Sequence, residues 1–290
     1  MLSLLLPVLL LALTAVLVFL AINRTVPEHT TSAVRAAASR HENLTTGVGA
    51  VGGFTVAITL ITALPVGAQS PPGIVTALAP TAGCLVFLAI VAVGEHTWPR
   101  PAGSVRQATL HRRSLRALSP PRVRLLCGTA AVLGIALGVF VLTADETGRA
   151  VPAMITAEGA LAGRLGGASG PYPGSRYAGP IAVGLIVVLV ATAWVLHRVA
   201  HRPAVAGATP EDDQLLRRTG ARRILGGVQL CVGATSAAVL LVAAVSLTNA
   251  GWTLAAWTAG VVGLLCGLTS VIAAGTALPA PQPTTTTVAA

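Results

Sequence analysis

The stretch VRQATLHRRSLRALSPPRVR, residues 105–124, contains six arginines and no acid, and an apolar run, LLCGTAAVLGIALGVFVLT (125–143), follows it directly. About 20 apolar residues are enough for a helix to cross the hydrocarbon core of a bilayer. Short arginine-rich segments beside such helices stay on the cytoplasmic side. This junction therefore predicts a membrane-spanning helix that begins at the cytoplasmic face and ends at the outer face.

The composition of the chain agrees with a membrane protein. Hydrophobic residues make up 54% of the 290 residues and charged residues only 10%, whereas soluble domains carry about 25% charged residues. A net charge of +10 in a soluble protein would suggest nucleic-acid binding. However, residues 105–124 contain no aromatic side chain on which a base would stack. We therefore expect no nucleic acid as a partner.

Seven stretches are long and apolar enough to span a bilayer, and none of them contains Asp, Glu, Arg or His. They are residues 2–22, 44–66, 74–93, 125–143, 178–196, 224–247 and 252–274. The first lacks the basic region and cleavage site of a signal peptide, so we expect it to remain as a helix. The predicted fold class is all-α: one polytopic transmembrane bundle over residues 1–278, with a disordered Pro/Thr-rich tail at 279–290.

The arginines also predict the orientation of the bundle. Sixteen of the nineteen lie in the first, third and fifth connections between spans, and three lie in the others. Because arginine-rich connections stay inside, we expect the N-terminus outside, the C-terminus inside and a location in the cell membrane.

Two sets of charged residues are candidate contact sites. Arginines of the third connection are expected to anchor the chain to anionic lipid headgroups, at about 1 kcal/mol each near a charged surface. They are Arg106, Arg112, Arg113, Arg116, Arg122 and Arg124. Glu158, in the long external connection, is a candidate external site if residues 151–165 form a surface helix, because its carboxylate would then lie on an apolar face. Alternatively, such a helix is short and Glu158 reaches water.

Metal and catalytic sites are not indicated. His197 and His201 share one helical face, and His41 and Glu42 form a second ligand-like pair, but neither pair has an evident third ligand. No nucleophile elbow, zinc-protease motif, phosphate loop or dinucleotide fingerprint is present. We therefore expect no cofactor and no enzymatic activity.

Two local patterns predict helix packing and helix continuity. Glycines at i,i+4 spacing mark three spans as helices able to pack closely: Gly49 and Gly53, Gly134 and Gly138, and Gly263 and Gly267. In TPEDDQLLRRTGARRIL (209–225), Pro210 suits the first helical position and Asp213 and Arg217 are an i,i+4 pair. This segment is predicted to be a helix that continues into the sixth span.

In general layout the chain resembles multi-pass membrane proteins of high-GC Gram-positive bacteria. The resemblance lies in the arginine-only connections, in EDDQLLRRTGARRILGGVQ entering one span and in GPYPGSRY entering another. It implies no activity and transfers no functional residue.

Two functions remain open: a non-enzymatic scaffold or accessory subunit that binds other membrane proteins, and a permease for a small uncharged solute. The absence of ionisable groups from the predicted spans favours the first, because ion-coupled carriers use such groups to hold their ion.

Overall fold

The structure is a computed structural model that describes residues 33–62, 73–97, 119–154, 167–203 and 210–277, with side chains in the first helix from Ala38 onward. Within these ranges, six helices are long and apolar enough to cross a membrane. They are α1 (Ala33–Thr62), α2 (Ile74–His96), α3 (Pro120–Thr143), α4 (Ser175–His201), α5 (Pro210–Asn249) and α6 (Thr253–Gly275). The all-α membrane bundle is thus confirmed for the second to seventh predicted spans. The first predicted span, 2–22, and the tail, 279–290, lie outside the described residues.

Successive helices run in opposite directions. At one end, His41 near the start of α1 lies 3.0 Å from the carbonyl oxygen of Gly94 near the end of α2. At the other end, the hydroxyls of Thr143, the last residue of α3, and Tyr172, just before α4, are 2.7 Å apart. The arginine distribution predicts that the first of these ends is cytoplasmic. We call it the inner end and the opposite one the outer end.

Helix α5 lies at the centre of the bundle and contacts each of the other five described helices. Small residues allow α6 to approach it closely, since a methyl group at Gly233 would overlap the side chain of Ser270. At Gly263 an added Cβ would lie 3.1 Å from the Cβ of Leu240. The packing role predicted for the glycines of the seventh span is therefore confirmed.

The other two glycine pairs differ in outcome. An added Cβ at Gly53 would overlap the carbonyl oxygen of Gly83, so α1 and α2 pack backbone to backbone as predicted. On α3, in contrast, no described atom lies within 4 Å of an added Cβ at Gly134 or Gly138. Their predicted role in close packing is wrong within the described bundle, because they lie on the exposed side of α3.

The helices extend beyond the predicted spans, and mostly at the inner end. Helix α1 begins at Ala33 rather than at residue 44, and α2 ends at His96 rather than at residue 93. Helix α5 runs without a break from Pro210, so the predicted continuous helix into the sixth span is confirmed. Charged residues that flank the apolar runs in sequence consequently lie within helices.

The outer end carries a two-stranded antiparallel ribbon, in which β1 (Val151–Pro152) pairs with β2 (Ala168–Ser169). The surface helix predicted from residue 151 is therefore wrong at its start. Residues 155–166, which include Glu158, lie outside the described residues. Ahead of the ribbon, Asp145 Oδ1 accepts hydrogen bonds from the Thr147 hydroxyl at 2.8 Å and the Ala150 amide at 3.1 Å. Desolvation raises the pKa of Asp145, but these bonds outweigh it and leave the pKa below its ordinary value.

Candidate functional site: an ionic cluster and a lateral groove

Four charged side chains, from α1, α2, α5 and the residue that follows α4, meet at the inner end, and we call them the ionic cluster: Glu42, Glu95, Arg202 and Arg223. Both terminal nitrogens of Arg202 donate to Glu42 Oε1 at 3.2 Å. Arg202 Nη1 also lies 3.3 Å from Glu95 Oε2. Arg223 Nη1 lies 3.7 Å from Glu42 Oε2. Two carboxylates and two guanidinium groups thus balance each other in charge.

The ionic cluster is withdrawn from solvent. The side chains of Glu42 and Arg223 are each 5% exposed and that of Arg202 is 4% exposed. Burial of this kind is costly unless each charge is paired, so the geometry of the cluster must be held firmly. Close packing of α1 on α2 provides this, because a methyl at Gly94 would lie 2.5 Å from Thr45 Cγ2. This contact sets Glu42 beside Glu95, its neighbour on α2.

A second ion pair continues the cluster along α5. Arg217 Nε donates to Asp213 Oδ2 at 2.7 Å, which confirms the predicted i,i+4 pair. The terminal nitrogens of Arg217 donate to the carbonyl oxygens of Ala200 at 2.6 Å and Arg202 at 2.7 Å. Cations stabilise the unsatisfied carbonyls at a helix C-terminus. Arg217 therefore joins the end of α4 to the start of α5.

Among the described residues, the histidines with ligand-like spacing are not joined by further metal ligands. The rings of His197 and His201 stack with their centroids 4.0 Å apart, and His201 Nδ1 lies 2.9 Å from the His197 carbonyl oxygen. Glu42, the neighbour of His41 in sequence, is paired with Arg202 and Arg223. In the part of the chain that the structure describes, no group of three or more His, Cys, Asp or Glu residues has metal-binding geometry.

A small uncharged network lies in the inner half of the bundle. The side-chain amide of Gln229 donates to the hydroxyls of Thr129 and Ser270, each at 2.9 Å. These bonds link α5 to α3 on one side and to α6 on the other. Gln229 Oε1 is buried and accepts no hydrogen bond from a described residue.

The second feature is an apolar groove of about 780 Å³ between the outer halves of α3 and α6, which we call the lateral groove. Its floor is formed by Leu240 and Leu247 of α5, and Tyr172 and Trp252 close its outer end. No other described helix lines it, so it opens sideways from the described part of the bundle. At the inner end the same two helices are joined, because Arg122 donates to the Ala273 carbonyl oxygen at 2.7 Å.

The structure describes two of the predicted lipid anchors. Arg122 is half-buried and bonded to α6, whereas Arg124 is exposed at the start of α3. The other predicted anchors and the predicted external site lie outside the described residues: Arg106, Arg112, Arg113, Arg116 and Glu158.

The ionic cluster was not predicted from the sequence. Its members flank the predicted spans, where the arginines were attributed to topology and Glu42 to a ligand-like pair with His41. A signal was present, because Glu42 and Glu95 are acids that adjoin apolar runs in otherwise arginine-rich connections.

Comparisons of the chain with protein-family models, with curated proteins and with solved structures give no match. The conclusion that its own residues support is that the chain is a multi-pass helical membrane protein.

Proposed function

We propose that this protein is a non-enzymatic scaffold or accessory subunit of a complex in the cell membrane. The proposal rests on one observation: the buried charged side chains pair with one another. Five charged residues are buried in the described chain, all at the inner end. They are Glu42, Arg202, Asp213, Arg217 and Arg223, and each bonds or ion-pairs with another charged side chain of the bundle. This chemistry holds helices together.

The lateral groove supplies the surface for a partner. Ile135 on α3 is 69% exposed and Leu254 on α6 is 83% exposed at its two walls. A helix about 10 Å wide and 30 Å long is too large to fit inside the groove, whose volume of about 780 Å³ suits a few large side chains. The proposed occupant is one apolar face of a partner's membrane helix, inserted between α3 and α6.

Site-specific photocrosslinking in intact membranes tests this proposal. A photoreactive residue at position 135 or 254 should give the same protein adduct, and that protein should retain this chain when it is itself purified. Position 190 on α4 is the matched control, since Val190 is 65% exposed but lies away from the groove. Lipid adducts alone at all three positions would contradict the proposal.

A permease for a small uncharged solute is the second candidate, and the Gln229 network favours it. An unfilled amide oxygen beside two hydroxyls offers a polar contact without charge. Uptake of labelled polyols or urea into proteoliposomes tests this candidate. Uptake that Gln229→Leu abolishes and that Gln214→Leu, an exposed control, leaves intact would replace the scaffold proposal.

A further inference from the structure

Two arginines from different helices adjoin each other at the inner end without an acid between them. Arg122 of α3 reaches α6, where its terminal nitrogens donate to the Ala273 carbonyl oxygen at 2.7 Å and to Thr276 Oγ1 at 3.0 Å. Arg222 of α5 is exposed. The two guanidinium groups are near enough to interact electrostatically.

The backbone of α5 also places Arg222 near Arg122. An added Cβ at Gly226 would lie 3.5 Å from Arg122 Nη1 and 2.6 Å from the Cβ of Ala277, so this face of α5 looks onto Arg122 and the end of α6. Arg222 is one turn earlier on the same face, about 6 Å along the helix. Arg218 is exposed one turn earlier again.

Neither Arg122 nor Arg222 has a carboxylate partner in the described chain. Arg122 uses two of its five N–H donors on α6. Along this face of α5 the next described acid is Glu211, which lies eleven residues from Arg222, or about 16 Å. Among the other described acids at this end, Glu42 and Glu95 belong to the ionic cluster and Asp213 pairs with Arg217. Asp212 lies ten residues from Arg222, about 15 Å along α5. Two adjacent cations with free donors suit a group that carries several anionic oxygens.

We infer that Arg122 and Arg222 form a seat for the phosphate of an anionic phospholipid, at the inner end where α3, α5 and α6 meet. Guanidinium groups match phosphate oxygens with paired hydrogen bonds, and Arg122 is held in place by its contacts with α6. The apolar residues that follow Arg122 on α3 and those at the end of α6 lie beside the seat, and the acyl chains of the lipid would lie against them. This site does not depend on the proposed scaffold role.

Native mass spectrometry of the full-length protein in detergent tests the inference, with added phosphatidylglycerol, phosphatidylcholine or inorganic phosphate. Phosphatidylglycerol should be retained in preference to phosphatidylcholine. Arg222→Gln should weaken its apparent affinity about tenfold, and Arg222→Lys should weaken it less, because charge remains while the paired geometry is lost. Arg40→Gln is the matched control, an exposed arginine on α1 at the inner end, and should change affinity by less than about twofold.

Three outcomes would overturn the inference. In the first, Arg222→Gln retains phosphatidylglycerol as the wild type does. In the second, Arg40→Gln weakens binding as much as Arg222→Gln, which would make the effect one of surface charge in general. In the third, inorganic phosphate displaces the lipid at equal concentration, which would make the seat a site for free phosphate. Because Arg222 is exposed, its variants are expected to fold, and equal melting temperatures without lipid check this.

Discussion

Removing one charge from the ionic cluster should destabilise the whole bundle. In Glu42→Gln the shape of the side chain is kept, but Arg223 loses the carboxylate that lies 3.7 Å away and Arg202 keeps only Glu95. At 3.7 Å and an effective dielectric constant of about 20, one unit-charge pair is worth about 4.5 kcal/mol. Loss of one partner from a buried pair typically costs about 3–5 kcal/mol. We therefore expect Glu42→Gln to reduce the free energy of unfolding by about 3 kcal/mol.

The measurement is thermal unfolding of the purified protein in a mild detergent, followed by tryptophan fluorescence. For a chain of this size, 1 kcal/mol corresponds to about 2–4 °C, so the melting temperature should fall by about 6–12 °C. Glu211→Gln is the control, because this acid is exposed on α5 and its loss should change stability by less than about 0.5 kcal/mol.

A double-mutant cycle separates charge pairing from other effects. Arg223→Gln removes the charge that Glu42→Gln leaves uncompensated, so the double variant should be more stable than the sum of the single effects predicts, by about 0.5–3 kcal/mol. If Glu42→Gln lowers the melting temperature by less than about 2 °C, or if the two changes are additive, the cluster does not hold the inner end together.

Three further predictions test the orientation, the packing and the outer end. Single cysteines at Ser104, Ser169 and Gly207 of a cysteine-free variant should react with an impermeant reagent in intact cells only at 169, and labelling at 104 or 207 would reverse the topology. Gly233→Val should lower stability by about 1–3 kcal/mol, measured by thermal unfolding, because the added side chain overlaps Ser270. The pKa of Asp145 is lower in the folded protein than in the unfolded chain, so its ionised carboxylate should stabilise the fold at pH values above the unfolded pKa. This stabilisation should be lost as the pH falls through the folded pKa. Asp145→Asn should remove this part of the acid-dependent loss of stability. The protection of outer-end amides from hydrogen exchange, relative to the unfolded chain, should then vary less between about pH 3 and 6 than in the wild type.

The spans were predictable because each is a long run whose hydropathy alone decides its environment. The end of α3 at Thr143 was predicted to the residue, and the pairing of Asp213 with Arg217 followed from helical spacing. The predicted spans stopped too early at the inner end, because hydropathy falls at the first charged residue while the helix continues. A paired charge does not end a helix, and the partner of Glu42 is 160 residues away in sequence.

Two predictions failed for the same reason: the packing role of the α3 glycines and the surface helix from Val151 both depend on which segment of the chain lies next to them. The spacing of Gly134 and Gly138 shows that one face of α3 is smooth, but it does not show that a neighbour covers that face. Similarly, the helical pattern from Val151 does not reveal that Ser169 pairs with that residue as a strand. Local sequence predicts the element, whereas its neighbours depend on distant residues.

The ionic cluster bears on the choice between a scaffold and an ion-coupled carrier. The predicted spans contain no ionisable group, but the helices of the structure do, because Glu42 and Arg223 lie within α1 and α5. A coupling carboxylate must bind and release its ion in every cycle. Glu42 is instead paired with Arg202 and Arg223, whose side chains are as buried as its own. A carboxylate shared between two buried arginines joins α1 to α5 and to the end of α4, and this favours a scaffold over a carrier whose carboxylate must be free to bind an ion.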